Sequence, residues 1–317
     1  MMFSNTATVA NNEFRTLFKE KTFLLLLIIF ILMTLLSTYI GWSSKTTVEK
    51  VYIETTKKLA ETGPNEIPPD PFAKIPELSI VKNMVAYVFM IGTILAIVLG
   101  NNSFIRDRRS GVSKIIFSRP IHRSEIVNGK ILGIIYALAS IIVTSFIISL
   151  ISTVVISGKV VSISETQRLL CFYFLSFVYL LIFAIIGLFF SIYSSNQSLA
   201  LMVPILIWIS VNFVLPELTS ALNPTASLNP TNISSAIPHN SFFLVLQNTI
   251  KPFSISEIYK EVSGYLLELN NNNLSITKTL VGYSGGLVFM FSLLGFLIFG
   301  CYWAMNKFNV CEETLNE

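Results

Sequence analysis

Six unbroken apolar runs decide what this chain can fold into. They lie at about 22–42, 83–104, 131–157, 169–193, 199–215 and 280–305, and their cores carry essentially no Asp, Glu, Lys, Arg or His. A helix needs about 20 apolar residues to cross the hydrocarbon of a bilayer. In lipid only helices and closed barrels satisfy every backbone group, and long unbroken runs exclude the barrel. The expected fold is therefore an all-α polytopic membrane protein with six transmembrane helices, forming one domain over residues 1–317. Composition agrees: 53% of residues are hydrophobic and 13% charged, against about 25% charged in a soluble domain. The fifth run is the shortest and carries Pro204, which predicts a kink. Residues 1–20 are polar and mixed in charge, and the first run is too long for a signal core, so no cleaved leader is expected.

Orientation follows from the loops. The formal charge is +4, from 22 basic and 18 acidic residues. Between spans two and three, Lys and Arg occupy positions 106, 108, 109, 114, 119, 123 and 130, against Asp107 and Glu125. Arg15, Lys19 and Lys21 precede the first span. Such a cationic excess marks the cytoplasmic face, which puts both termini inside. The outer loops are then about 43–82, 158–168 and 216–279. A basic excess confined in this way points to topology and anionic lipid headgroups rather than to nucleic acid.

Two outer loops read as helical. Val48, Val51, Tyr52 and Leu59 share one side of a helix-prone stretch at 47–62, which Pro64, Pro68, Pro69, Pro71 and Pro76 bring to a stop. Farther on, Ser254 and Glu257 have capping-box spacing. Ile255, Ile258, Tyr259, Val262, Leu266 and Leu269 then follow the helical period up to the run of asparagines at 270–273. The apolar stretch 242–246 is too short to span. This stretch and the helix at 255–269 are expected to pack over the ends of the spans, the alternative being that the stretch dips into the outer leaflet.

Several function classes are disfavoured. Ion-coupled transporters and intramembrane enzymes place ionisable groups at membrane depth, and these runs have none. His122 and His239 stand in loops, outside any catalytic or metal-ligating cluster. Cys171, Cys301 and Cys311 are far apart, with neither metal nor redox spacing. No phosphate-binding Gly-x-x-x-x-Gly-Lys-Ser/Thr occurs. No catalytic, cofactor-binding or metal-binding residues are expected.

The basic loop is itself patterned. Phe104, Ile105, Val112, Ile115, Ile116 and Phe117 recur at roughly helical spacing among the charges. An amphipathic element of this kind lies on the bilayer or docks on a soluble partner. The turn Asp107-Arg108-Arg109-Ser110-Gly111, then Ser118-Arg119-Pro120-Ile121-His122-Arg123, then Gly129-Lys130 opening a span, resembles the coupling region of type-2 ABC exporter permeases. Val112 stands where Thr is common in that family, and Ile115-Ile116-Phe117 where Leu-Leu is common. The amphipathic element at 11–21, with Phe14, Leu17 and Phe18, resembles the family's interfacial connecting helix. The sizeable first and last outer loops are similar to permeases grouped with copper-enzyme maturation, of the nitrous-oxide-reductase accessory type.

The resemblance implies a membrane subunit in a prokaryotic cytoplasmic membrane, paired with a second permease as homo- or heterodimer. It also implies two copies of a separate ABC ATPase, which would hydrolyse the ATP and dock on residues 104–125, with no cofactor in the permease. The implied docking residues are Arg106, Asp107, Arg108, Arg109, Gly111, Ile115, Ile116, Phe117, Arg119, Pro120 and Arg123. Ile115, Ile116 and Phe117 would enter a groove of the ATPase while the basic residues pair with acids on its rim. Gly111 permits a tight turn and Pro120 fixes an end, so the two bracket the element. Plain positive-inside topology accounts for the charges but does not ask for Gly and Pro at those points. The alternative is a membrane scaffold or sensor that binds ligands through its outer loops without transporting, and stimulation of a co-purified ATPase separates the two. A membrane enzyme ranks third.

The orientation is testable in intact cells. Single cysteines at Ser227 or Asn271 are expected to label with an impermeant thiol reagent, and Cys311 to stay silent until lysis. Labelling of Cys311 in sealed cells would reject the six-span topology.

Overall fold

The computed structural model describes residues 2–19, 21–62, 77–109, 111, 122–157, 161–216, 245, 249–269 and 275–308. Among the described residues every regular element is helical. In chain order they are α1 (Met2–Lys19), α2 (Lys21–Thr62), α3 (Leu78–Arg109), α4 (Arg123–Ser157), α5 (Ile163–Tyr193), α6 (Gln197–Val214), α7 (Ile255–Leu266), α8 (Ile276–Gly282) and α9 (Ser284–Lys307). The six that are long and apolar enough to cross a membrane are α2, α3, α4, α5, α6 and α9, and they cover the six apolar runs.

Helix α5 is the hub. It packs against α3, α4, α6, α7 and α9, and from Val178 to Leu188 every residue is buried. Apolar attraction between helices is weak in lipid, so close backbone approach has to supply the contact. Gly100 of α3 and Gly187 of α5 provide it. A Cβ at Gly100 would lie 1.8 Å from the Ala184 carbonyl oxygen, and one at Gly187 would lie 2.3 Å from that of Ile97.

Helix ends differ from the apolar runs for a consistent reason. The hydrocarbon sets where a run of apolar residues stops, but backbone hydrogen bonding continues into the polar phase. Thus α2 runs on through Thr62, absorbing the helix-prone outer stretch. Its Val48, Val51, Ile53 and Leu59 are exposed. Helix α3 continues to Arg109 and α4 begins at Arg123. Helix α5 starts at Ile163, where the Glu165 carboxylate accepts the Ser162 backbone N–H at 2.8 Å, the returning half of a capping box.

Helix α7 is the amphipathic outer segment, and the Ser254 hydroxyl accepts the Glu257 N–H at its start (3.4 Å). Burial extends beyond its apolar stripe. Ser256, Lys260, Ser263 and Gly264 are buried together with Ile258, Tyr259 and Val262. The helix is set among the other helices rather than laid over their ends. The 242–246 stretch and the proline-rich segment lie outside the described residues apart from Val245 and the helix from Glu77 on.

Replacing Gly187 by Val drives a branched side chain into the α3 backbone, and overpacking of this kind costs about 1–3 kcal/mol or more. The thermal midpoint of the detergent-purified chain is expected to fall. Gly285→Val, where a Cβ meets nothing within 4 Å, is expected to leave it unchanged.

Candidate functional site

Of the basic residues singled out by the sequence, those among the described residues fall at or near helix ends. Arg106, Asp107, Arg108 and Arg109 form the last turn of α3, where cations complement the negative end of the helix dipole. Gly111 follows with φ +68°, and its N–H donates to the Arg108 carbonyl at 3.1 Å. This left-handed position terminates a helix and favours glycine. Among the described residues no atom lies within 4 Å of an added Cβ there, so the constraint they impose is the backbone angle. Arg123 opens α4. The connecting segment is thus shorter than 104–125. Ile115, Ile116, Phe117, Arg119 and Pro120 lie outside the described residues.

Helix α1 lies along the start of α4 because two glycines admit it. A Cβ at Gly129 would sit 2.3 Å from Val9 Cγ1, and one at Gly133 would sit 2.6 Å from Glu13 Cγ. The approach carries the Glu13 carboxylate into the protein. Its Oε1 accepts from Ser103 Oγ at 2.8 Å and from Arg106 Nη2 at 2.7 Å. Its Oε2 lies 3.4 Å from Lys130 Nζ. Lys130, only 2% exposed, also reaches Asp107 Oδ2 at 2.6 Å and the Ser103 carbonyl at 2.6 Å. Arg106 Nε stands 3.6 Å from Asp107 Oδ1. Among the described residues the cluster pairs two acids, Glu13 and Asp107, with two bases, Arg106 and Lys130. That is the condition under which charges tolerate burial, since each must be paired and hydrogen-bonded. The cluster joins α1, the end of α3 and the start of α4.

The other arginines cap helices. Arg108 donates to the carbonyls of Ser194 and, at 3.0 Å, of Ile192, at the end of α5. Its guanidinium stacks 5.1 Å from the Phe104 ring centroid and 4.9 Å from that of Phe308. Arg123 donates to the carbonyls of Met305 (3.0 Å) and Asn306 (2.8 Å), at the end of α9. Arg109 Nε donates to Gln197 Oε1 at 2.8 Å at the start of α6. The termini of α5, α6 and α9 are therefore all bound to the two ends flanking the connecting segment.

Of the interfacial residues, Leu17 is buried, Phe14 is half-buried with its ring 6.2 Å from Tyr136, and Phe18 is exposed, 5.1 Å from Phe23. Sequence reasoning missed Glu13, Ser103 and Lys130 as members of one site. The signal for Glu13 was present: with Ala10, Phe14 and Leu17 it occupies the apolar face of α1, where an acid needs a partner. Among the described residues no group of three or more His, Cys, Asp or Glu is set to hold a metal ion. The arrangement holds four helices, α1, α5, α6 and α9, to the end of α3 and the start of α4, which flank one short segment.

Residues 7–302 match the family model described as ABC-2 family transporter protein. No curated protein matches the chain.

Removing one partner from a buried ion pair costs about 3–5 kcal/mol, because the other charge is left uncompensated. Glu13→Ala is therefore expected to lower the thermal midpoint of the purified chain markedly. Arg109→Ala, at an exposed position, is expected to change stability by less than about 0.5 kcal/mol.

Proposed function

The chain belongs to the ABC-2 family of membrane transporters, and from that premise we propose that it is the permease subunit of an ABC exporter driven by a separate ATPase. The basic end of the bundle faces the cytoplasm of a prokaryotic cell, with both termini inside. Two permeases work with two ATPase copies, since closed two-fold assembly is the common outcome for such subunits. The ATPase docks on the segment between α3 and α4. Ile115, Ile116 and Phe117 supply the apolar knob, and Arg119 and Pro120 its far flank.

The observation that supports this reading is the Glu13 cluster. A permease without a nucleotide fold has to receive force from outside, and a loop is a useful handle only if its ends are fixed to what must move. Here Arg106 on one side of the loop and Lys130 on the other meet at the Glu13 carboxylate of α1, and Asp107 pairs with Lys130 across the loop. Displacement of the loop then carries α1, α3 and α4 together, and α1 leads within two residues into α2. Gly111 makes the reversal at the near end of the handle.

The test is co-purification of the ATPase with variants of the permease, alongside membrane insertion. Fully burying a large apolar side chain is worth about 1.5–3 kcal/mol. The double change Ile116→Ala and Phe117→Ala is therefore expected to weaken ATPase binding by roughly 100-fold or more. Gly111→Val is expected to keep the ATPase bound and to abolish stimulated hydrolysis, because a β-branched residue is strained at positive φ. A double variant that inserts normally and binds the ATPase at parental affinity would remove this segment as the docking element.

A further inference from the structure

The end of the bundle far from Arg106 holds a second polar network, in which the hydrogen bonds around Asn212 join neutral groups and the Lys260–Glu257 ion pair lies beside them. Two of the crossing helices depart from α geometry there. Helix α3 contains a π segment at Val88–Gly92, closed by the Thr93 N–H on the Val88 carbonyl. Helix α6 contains another at Ser210–Val214, closed by the Leu215 N–H on the Ser210 carbonyl. In each segment the carbonyl of the second residue carries a side-chain donor from another element. Asn212 Nδ2 donates to Phe89 O at 3.4 Å, and Ser256 Oγ of α7 donates to Val211 O at 3.0 Å. The π segment of α6 is thus bonded to that of α3 on one side and to α7 on the other.

Further contacts tighten the junction. Trp208 Nε1 donates to Thr93 Oγ1 at 2.6 Å, and Thr93 Oγ1 donates to Phe89 O at 2.8 Å. The Tyr179 hydroxyl donates to Asn212 Oδ1 at 2.8 Å. Tyr259 of α7 stacks on Tyr179 with ring centroids 4.3 Å apart and planes 4° from parallel, and its hydroxyl pairs with Ser176 Oγ at 3.0 Å. Lys260 Nζ lies 5.2 Å from the Phe89 ring centroid. Thr93, Ser176, Tyr179, Asn212 and Tyr259 are all buried. Burial pushes the Tyr259 phenol up from its usual value, which keeps it a neutral hydroxyl. The far end of α7 is fixed separately, by Arg168 Nε on Glu268 Oε1 at 3.0 Å and Arg168 Nη1 on the Tyr265 carbonyl at 3.4 Å.

A π turn is an α-helix carrying one extra residue, and its hydrogen bonding is the poorer of the two. It has a nearby alternative, since return to α geometry shifts the local register by one residue, or ~1.5 Å along the axis. The side-chain donors on Phe89 O and Val211 O favour the π form over that alternative. We propose that Asn212 is a latch residue: with it in place the two π segments hold α3, α6 and α7 closed on Tyr179, and its release from Phe89 O lets them return to α-helix and frees the start of α7. The end of α7 held by Arg168 then serves as the pivot. The groups exposed are the hydroxyls of Ser176 and Tyr179 and the face of Tyr259, so the opened space accepts a neutral, hydrogen-bonding, partly apolar molecule.

The experiment uses the full chain alone in lipid nanodiscs, so it depends neither on an ATPase nor on which face is outside. Cys171, Cys301 and Cys311 are replaced by alanine, and Ser176→Cys is introduced as a reporter beneath Tyr259. Its reaction with a charged thiol reagent is expected to be slow in the parent and at least about 10-fold faster with Asn212→Leu, as the locally open population rises. Ser256→Ala, which removes the bond to Val211 O and a local one to Ser254 Oγ, is expected to give a smaller acceleration and decides the matter should Asn212→Leu fail to insert. Deletion of Met90 removes the extra residue of the α3 π turn and is expected to match Asn212→Leu. A control reporter, Ser149→Cys, buried beside Tyr173 (2.5 Å), is expected to keep the parental rate throughout. Unchanged Ser176→Cys rates in these variants would overturn the latch. A parallel rise at both reporters would overturn it too, because it marks general loosening of the bundle.

Discussion

In hydrocarbon an unpaired backbone carbonyl costs several kcal/mol, and the departures from regular helix in this chain are met by side chains that supply the missing partner. Pro204 has no N–H, so the Ala200 carbonyl four residues earlier has no helical donor. Asn101 Nδ2 of α3 donates to it at 2.6 Å. Inside the π segments Phe89 O accepts from Asn212 as well as from Thr93 of its own helix, and Val211 O accepts from Ser256. Ends of helices raise the same demand. The last carbonyls of α5 are taken by Arg108 and those of α9 by Arg123. Each repair comes from a different helix, so satisfying the backbone and fixing the tertiary arrangement are one act.

This changes the meaning of the basic residues. Positive charge at a membrane boundary sets topology, but Arg108 and Arg123 are also bonded to carbonyls, and Arg106 and Lys130 to carboxylates. An arginine committed to two carbonyls of a neighbouring helix holds that helix in place. The cluster around Glu13 carries the same logic to full ionic pairing. Such clusters contribute little net stability compared with apolar packing, yet they resist losing any one member. Their value lies in fixing which elements move together.

The six spans were legible because the bilayer acts on composition, and composition is what a run of Phe, Leu and Ile displays. The helix ends were not, because Thr62, Arg109 and Arg123 lie in or near the polar phase, where a helix continues without an apolar signature. The turn at Gly111 was legible from residue type, since few other residues sit at φ +68°. Glu13 was not weighed, although an acid on an apolar helix face was the clue. The two π segments leave no trace in hydrophobic patterning, as one extra residue in Val88–Gly92 or Ser210–Val214 changes no composition. For α7 the period was readable but the environment was not. Ser263 and Gly264 look like an outer face, and only the surrounding helices bury them.

The two ends of the bundle are held by different chemistry, and the difference has a direction. At the basic end the contacts involve ionised groups, each worth about 1.5–3 kcal/mol, and they converge on Glu13 of α1 from α3 and α4. At the opposite end ion pairs such as Lys260–Glu257 and Arg168–Glu268 belong to α7 and its flank, whereas the contacts of Asn212 that join α3, α5 and α6 are neutral hydrogen bonds, worth about 0.5–1.5 kcal/mol each, beside the Tyr179–Tyr259 stack. The close crossing at Gly100 and Gly187 lies between the two and leaves α3 and α5 no room to approach further. Strain applied to the basic end therefore meets a cluster that moves as a block and a central contact that does not compress. It is relieved where the bonds are weakest and an alternative helix geometry lies close by, which is at the π segments of α3 and α6.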